Sequence, residues 1–164
     1  MSHYLKPGRL GDVIAAIQAM GTYKFYKLDF KGWADRLSAN EQLADQWRRV
    51  FEEHPEFFRL DGERTKASLV WRRQYTRRYH VDQERTLTRE ELEKLPASER
   101  ATRISRTPLQ ATDINTLIKT AIDLHSRDVE ARKESRWWVP LAAAVGSLIG
   151  AIGGAVIGGL MGGR

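Results

Sequence analysis

The densest run of chemically capable side chains is Arg72-Arg-Gln-Tyr-Thr-Arg-Arg-Tyr-His80, in which four guanidinium groups are interleaved with two phenol rings. Guanidinium forks pair with phosphate oxygens, and aromatic rings stack on bases or lie among lipid head groups. The run therefore suits a nucleic-acid backbone or an anionic bilayer surface, although a solvated helix face or strand edge has the same pattern. Arg64 and Lys66 stand just upstream, so the expected contact set is Arg64, Lys66, Arg72, Arg73, Arg77 and Arg78. From Phe57 to His80 seven cations face two acids, a surplus of five. That equals the whole surplus of residues 1–80, which hold fifteen Lys or Arg against ten Asp or Glu, whereas residues 81–136 hold eleven of each.

No other grouping points to bond-making chemistry. His3, His54, His80 and His125 lack the spacing of metal ligands, and His80-Val-Asp82 reads as surface. There is no P-loop and no dinucleotide fingerprint, and the carboxylates are spread over amphipathic segments. With no Cys the chain has no thiol nucleophile, zinc–thiolate site or disulfide. The expectation is a non-enzymatic protein with no metal, no cofactor and no small-molecule substrate.

The elements that must position these groups are legible in turn. Leu10, Val13, Ile14, Ile17 and Met20 recur at helical spacing, which predicts a helix from Arg9 that ends near Gly21. Thr22 to Leu28 is short and aromatic, as in a strand or extended connector. Asp29 is placed to cap a short helix holding Phe30, Trp33, Ala34 and Leu37. Ser38 and Glu41 have capping-box spacing for a third helix that runs to about Glu53 and buries Leu43, Ala44, Trp47, Val50 and Phe51. Phe57–Leu60 and Ala67–Arg72 flank a turn at Asp61-Gly62 and predict a β-hairpin. Thr88 and Glu91 form a second capping-box pair before a short helix that Pro96 ends, and Thr107-Pro108 opens a further helical region. Ile114, Leu117, Ile118, Ala121, Ile122 and Val129 then mark an amphipathic helix directed towards Arg136, which would pack on the preceding domain, pair with a second copy or space the domain from the bilayer.

Helix, strand, two short helices separated by Ser38 to Asn40, and a hairpin follow one another over residues 9–73, and this order resembles a winged helix-turn-helix domain. The resemblance places residues 41–53 at the recognition-helix position and residues 61–66 at the wing tip. It implies DNA binding or protein docking, because members of that fold do either. Arg48 and Arg49 in the third helix are outnumbered by Glu41, Asp45, Glu52 and Glu53, which opposes insertion into a groove lined with phosphates. Its exposed Gln42, Gln46 and Arg49 are instead the expected protein-docking face.

The last quarter of the chain is a different polymer. Val139 to Gly163 carries no charge and spans roughly 37 Å as a helix at about 1.5 Å per residue, more than the hydrocarbon core of about 30 Å. Pro140 falls in the first turn, and Trp137 and Trp138 are placed as an interfacial anchor. Arg127, Arg132, Lys133 and Arg136 precede the span and only Arg164 follows it, so the N-terminal part is expected on the cytoplasmic side. No secretion signal is evident between Met1 and Gly8, in keeping with that orientation. Gly146, Gly150, Gly154, Gly158 and Gly162 recur every four residues, and this ridge resembles the glycine zippers at which membrane helices pack closely.

The combined expectation is a mainly α chain with a small β-hairpin: a winged-helix-like domain over 1–80, a helical connector over 81–136 and a single transmembrane helix over 137–163. In function it is read as a single-pass, tail-anchored membrane protein whose residues 1–80 recruit a protein partner or nucleic acid to the bilayer. Its other partners are membrane lipid and a second copy through the tail. The alternative is an oligomer of zipper helices that perturbs or permeabilises the membrane.

Overall fold

The computed structural model describes residues 3–134, and the tail with Trp137, Trp138 and the five phased glycines lies outside the described residues. The architecture is mainly helical with two small antiparallel sheets. Among the described residues no helix is long and apolar enough to cross a membrane. The chain divides into two compact units, Met1–His125 and Ser126–Arg164. Of the second, the described part is the end of the last helix.

Helix α1 spans Arg9–Thr22 and buries Val13, Ala16, Ile17 and Met20, the stripe its periodicity predicts. As expected, the helix ends beside Gly21. That residue sits inside the last turn because a Cβ there would lie 3.0 Å from the Ile114 side chain, so a bare backbone lets a distant helix pack close. Strand β1 is only Lys27–Asp29, and Asp29 caps helix α2 (Phe30–Ser38) by accepting from the Gly32 amide at 2.7 Å.

The start of the third helix differs from the expectation. Ser38 closes α2, and its hydroxyl accepts from Trp47 Nε1 at 2.9 Å. The cap is Asn40, whose side chain accepts from the Gln42 amide at 2.9 Å, followed by a 3₁₀ turn over Glu41–Leu43 and then helix α3, Ala44–Glu53. Ala39 at φ 50° makes the reversal between the helices, and that leaves Ser38 pointing at α3.

Strands β2 (Phe58–Leu60) and β3 (Lys66–Leu69) form the expected hairpin, with Phe58 opposite Leu69 and Leu60 opposite Ala67. Its turn is held by Asp61, whose carboxylate accepts from the amides of Thr65 and Lys66 at 2.9 and 3.1 Å. β3 stops at Leu69, short of Arg72, because residues 71–74 coil into a 3₁₀ turn. β1 joins the far edge of β3, so the sheet order is β1-β3-β2.

Residues beyond 80 do not form a separate connector. Strands β4 (Tyr79–His80), β5 (Arg85–Thr86) and β6 (Ile104–Ser105) make a second sheet in the order β5-β4-β6, interrupted by helices α4 (Arg89–Lys94) and α5 (Ala97–Arg103). Leu109 donates its amide to Gly21 O at 2.9 Å, and helix α6 begins at Ala111 and runs to Glu134. Leu109, Ile114, Leu117 and Ala121 share one core with Val13, Ile17, Met20, Trp33, Phe51 and Phe58. The first unit therefore runs on to His125, with the start of α6 packed into the core of the early helices and the first sheet.

Thr88 and Glu91 make the full capping box, with Glu91 N on Thr88 Oγ1 at 3.2 Å and Thr88 N on Glu91 Oε2 at 2.8 Å. Arg85 also binds Glu91 through both guanidinium ends, at 2.8 and 3.1 Å. The Arg85 bond is the main cause that holds the Glu91 carboxyl down at about 2. A carboxyl lowered by folding supports α4 fully above its ordinary 4.5, and that support fades as pH falls through about 2. Because α4 buries no residue, Thr88→Ala should fray this helix alone. The expected loss of amide protection at Glu91 and Leu92 by hydrogen exchange corresponds to about 1 kcal/mol, with the rest of the unit unchanged. In the parent chain the same protection should hold from pH 7 to 4.5 and drop only in stronger acid.

Candidate functional site

The cations expected to act together are divided by the fold into three groups and a separate Arg78. Arg72 leaves the contact set altogether, because it is fully buried. Its Nη1 donates to Met20 O at 2.9 Å and to Tyr23 O, and its Nη2 donates to Arg106 O. Burial pushes its pKa down to about 10, so it stays charged at neutral pH without a carboxylate partner. Arg106 returns the contact by donating to the carbonyls of Arg73 and Tyr75. Arg72 is a fastener between α1 and the chain before α6 and has no surface to offer a phosphate.

Arg64 belongs to the second group. It sits in the hairpin turn at φ 56° and reaches back to α3, where Nη2 donates to Glu52 Oε1 at 2.9 Å. Glu52 also holds Arg48 at 3.1 Å, and the Arg64 bond is the largest influence lowering its carboxyl. Glu53 is turned the other way, onto Lys6 and Arg9, the latter at 3.0 Å. The acids on α3 are thus partly neutralised from within. Gln42, Gln46 and Arg49 are all exposed on that helix and its leading turn, with Arg49 Nε on Asp45 O at 3.3 Å.

The third group lies on the outward face of the first sheet. Lys27 and Arg59 are both opposite Ser68 in the β ladders, so all three point to one side. Lys66 is two residues from Ser68 and shares that side. The alternate positions Leu28, Leu60 and Ala67 face the core. Ser68 is buried, while Lys66 and Arg59 are exposed.

The segments after β3 bring further cations to this face. Tyr26 N donates to Ser105 Oγ at 3.0 Å, which sets β6 beside β1. Between them is a cavity of ≈ 280 Å³ lined by Phe25, Tyr26, Lys27, Lys66, Arg77, Thr102 and Ser105 among others. A second cavity, of ≈ 340 Å³, shares Tyr26 and Lys27 and adds Arg59, Asp61 and Arg73. The two together hold five cations, Lys27, Arg59, Lys66, Arg73 and Arg77, against one carboxylate. Asp61 is already engaged: burial acts to raise its pKa, but the Lys66 and Thr65 amides outweigh this and hold it below the usual range. Its remaining contact is Lys27 Nζ at 3.8 Å.

Arg77 is held rigidly at the end of α5, with Nε on Ile104 O at 2.9 Å and Nη2 on Ala101 O at 3.1 Å and Arg100 O at 3.3 Å. It covers the negative end of the helix and leaves Nη1 for a ligand beside the cavity. Arg78 is half-buried and spends Nε on Thr76 Oγ1 at 3.1 Å. Of the six expected contacts, Lys66, Arg73 and Arg77 come together here, whereas Arg64, Arg72 and Arg78 do not.

Lys27, Arg59 and Tyr26 were missing from the expected set. The signal for the first and last was present: Tyr23-Lys-Phe-Tyr-Lys27 has the same alternation of rings and cations as residues 72–80. Within this run Lys24 Nζ lies 5.7 Å from the Phe25 ring, and cations from elsewhere cover its other rings, Arg36 at 4.9 Å from Tyr23 and Arg106 at 5.1 Å from Tyr26.

His80 is buried, contrary to the surface position expected for it. Its Nδ1 accepts from the amides of Asp82 and Gln83, both at 3.3 Å, and Nε2 meets Glu99 at 3.2 Å, so it closes the β4–β5 turn. His54 is buried with Nδ1 on Glu56 at 3.0 Å, and Tyr4, which also donates to Glu56, stands edge-on to it at 4.5 Å. Among the described residues no group of three His, Asp or Glu is arranged to hold a metal ion. No protein family, no curated protein and no solved structure matches the chain, so the basic double cavity around Tyr26 has to be interpreted from its own chemistry.

Proposed function

We propose that this chain is a membrane-tethered, non-enzymatic binding module that holds nucleic acid at the cytoplasmic face of a bilayer through the basic surface around Tyr26. The observation that carries the reading is the gathering of Lys27, Arg59, Lys66, Arg73 and Arg77 around two cavities that share Tyr26 and Lys27, with one, already engaged, carboxylate. Surfaces of this sign attract polyphosphate chains from a distance and release condensed counterions on contact.

The element order α1-β1-α2-α3-β2-β3 with sheet order β1-β3-β2 supports a winged helix-turn-helix reading of residues 9–69. In that reading α3 is the recognition helix, yet the free cations are on the outward sheet face. Binding then runs through phosphates and carries little sequence preference. The tether is residues 137–163, supported by the uncharged stretch, the Trp137-Trp138 pair and the cations before it. The ridge of Gly146, Gly150, Gly154, Gly158 and Gly162 supports close packing of two tails, which sets two basic surfaces side by side.

The test uses the full chain in neutral-lipid nanodiscs and follows anisotropy of a labelled random-sequence oligonucleotide. With four to five phosphate contacts, affinity should fall on the order of a hundredfold between about 50 and about 200 mM salt. Changing Lys27, Lys66 and Arg73 together to Gln should weaken binding at low salt at least tenfold and flatten the slope by roughly two to three. Arg64→Gln should change little. No binding at low salt, or a triple variant that binds like the parent, would overturn the reading and direct attention to protein docking on Gln42, Gln46 and Arg49. Binding to anionic vesicles with none to nucleic acid would assign the surface to lipid.

A further inference from the structure

We infer that the nucleic acid preferred by this surface is single-stranded, with one base seated in the ≈ 280 Å³ cavity against Phe25 and Tyr26 while Lys27, Lys66 and Arg77 take the flanking phosphates. The inference rests on the reading just given and adds the class of ligand. A surface built only to hold a duplex needs cations spread over a convex backbone and no recess. Here the cations border a pocket whose walls include two half-buried aromatic rings. The Arg106 guanidinium covers one face of Tyr26, so an entering group meets the other face or the ring edge.

The polar part of the wall also suits a base better than a bare phosphate. Ser105 is buried, and its Oγ accepts from the Tyr26 amide, which leaves its own O–H to donate to a ring nitrogen or carbonyl. Thr102 already donates its hydroxyl to Ser98 O at 2.9 Å, which leaves its oxygen as an acceptor for an exocyclic amine. Arg77 uses Nε and Nη2 on the carbonyls that end α5, so its Nη1 is the end left for a phosphate oxygen. A volume of this order accommodates one flat ring system and excludes a base pair. A duplex has to unstack and unpair a base to fill it, whereas a single strand does not.

The experiment compares three polyanions of equal charge on the full chain in neutral-lipid nanodiscs: a mixed-sequence single strand, a duplex of half its length and a base-free polyphosphate. The single strand should bind about tenfold or more tightly than either of the others, since stacking of one base supplies a factor of that order. Changing Phe25 and Tyr26 to Leu, with folding checked by the thermal transition, should erase that advantage and leave polyphosphate affinity in place. A single strand carrying bromouracil should, on irradiation, cross-link to Phe25 or Tyr26 in the unmodified protein, as mapped by mass spectrometry. Equal affinity for all three polyanions, or cross-links confined to other residues, would overturn the inference while the basic-surface reading stands. Absence of binding to every polyanion would remove both.

Discussion

Arg72→Met should destabilise the first unit by about 3–5 kcal/mol, one of the two largest single-residue effects expected in this chain. Methionine nearly matches the volume but leaves the carbonyls of Met20, Tyr23 and Arg106 without their donor, the first of them buried and the other two partly so. Each orphaned buried acceptor costs about 1–3 kcal/mol. Two of the three carbonyls belong to the last turn and cap of α1, where the helix dipole already concentrates negative charge, so loss of the cation removes a favourable end charge as well. The desolvation that lowers the Arg72 pKa is the opposing cost in the native protein, and the three bonds offset it. Arg72→Lys should recover only part of the loss, because one ammonium cannot span acceptors on both α1 and the segment before α6. In a unit of this size the Met variant should melt on the order of 10–20 °C below the parent when followed by far-UV circular dichroism. Arg73→Met, one residue along and exposed, should stay within about 0.5 kcal/mol. Similar melting of the two variants would mean that the buried fork does not fasten the fold.

Trp33→Ala should cost a comparable amount, about 3–5 kcal/mol, for a different reason. Among the described residues Trp33 is the largest fully buried side chain, and it lies edge-on to Tyr23 with ring centroids 6.1 Å apart. Its Nε1 donates to Ala67 O at 2.9 Å, which ties α2 to the middle strand of the first sheet. Truncation opens a cavity at the junction of α1, α2 and β3, and close-packed neighbours collapse into it only in part. Trp33→Phe should separate the two contributions: it keeps much of the apolar contact, loses the hydrogen bond, and should cost roughly 1.5–3 kcal/mol. Trp47→Phe should cost less, since Trp47 retains a little exposure and its bond goes to the Ser38 hydroxyl, which water can replace. The measurement is the denaturant midpoint at unchanged m-value. A Trp33→Phe midpoint equal to the parent's would show that the bond to Ala67 contributes nothing net.

Much of the local structure was legible because it depends on neighbours a few residues away. The helical stripe of α1, the Asp29 cap, the Thr88–Glu91 box and the Asp61-Gly62 hairpin are all set by spacings of two to four residues. Failures began where two local solutions competed. Ser38 and Glu41 have the spacing of a capping box, but Asn40 offers a shorter-range cap and Ser38 is drawn to Trp47 nine residues on. The segment after residue 80 looked like a connector because its apolar positions are sparse. They are sufficient only because Gly21 admits Ile114 and the early helices supply the opposite wall.

By itself the sequence determined the order of helices and strands as far as the hairpin, the gathering of five of the six surplus positive charges in residues 57–80, and the uncharged stretch from 139 to 163. These follow from residue type and short-range period. Only the tertiary structure decided which cations are available. Arg72 and Arg73 are adjacent and alike, yet one is sealed under α1 and the chain at Arg106 while the other lines a cavity. Lys27 lies far from Arg59 and Lys66 in the chain, and the three reach one sheet face because two ladders place Lys27 and Arg59 opposite Ser68, with Lys66 two residues away. The physical reason is that burial belongs to the pair of surfaces that meet, and one of those surfaces comes from a segment dozens of residues away that no local period encodes.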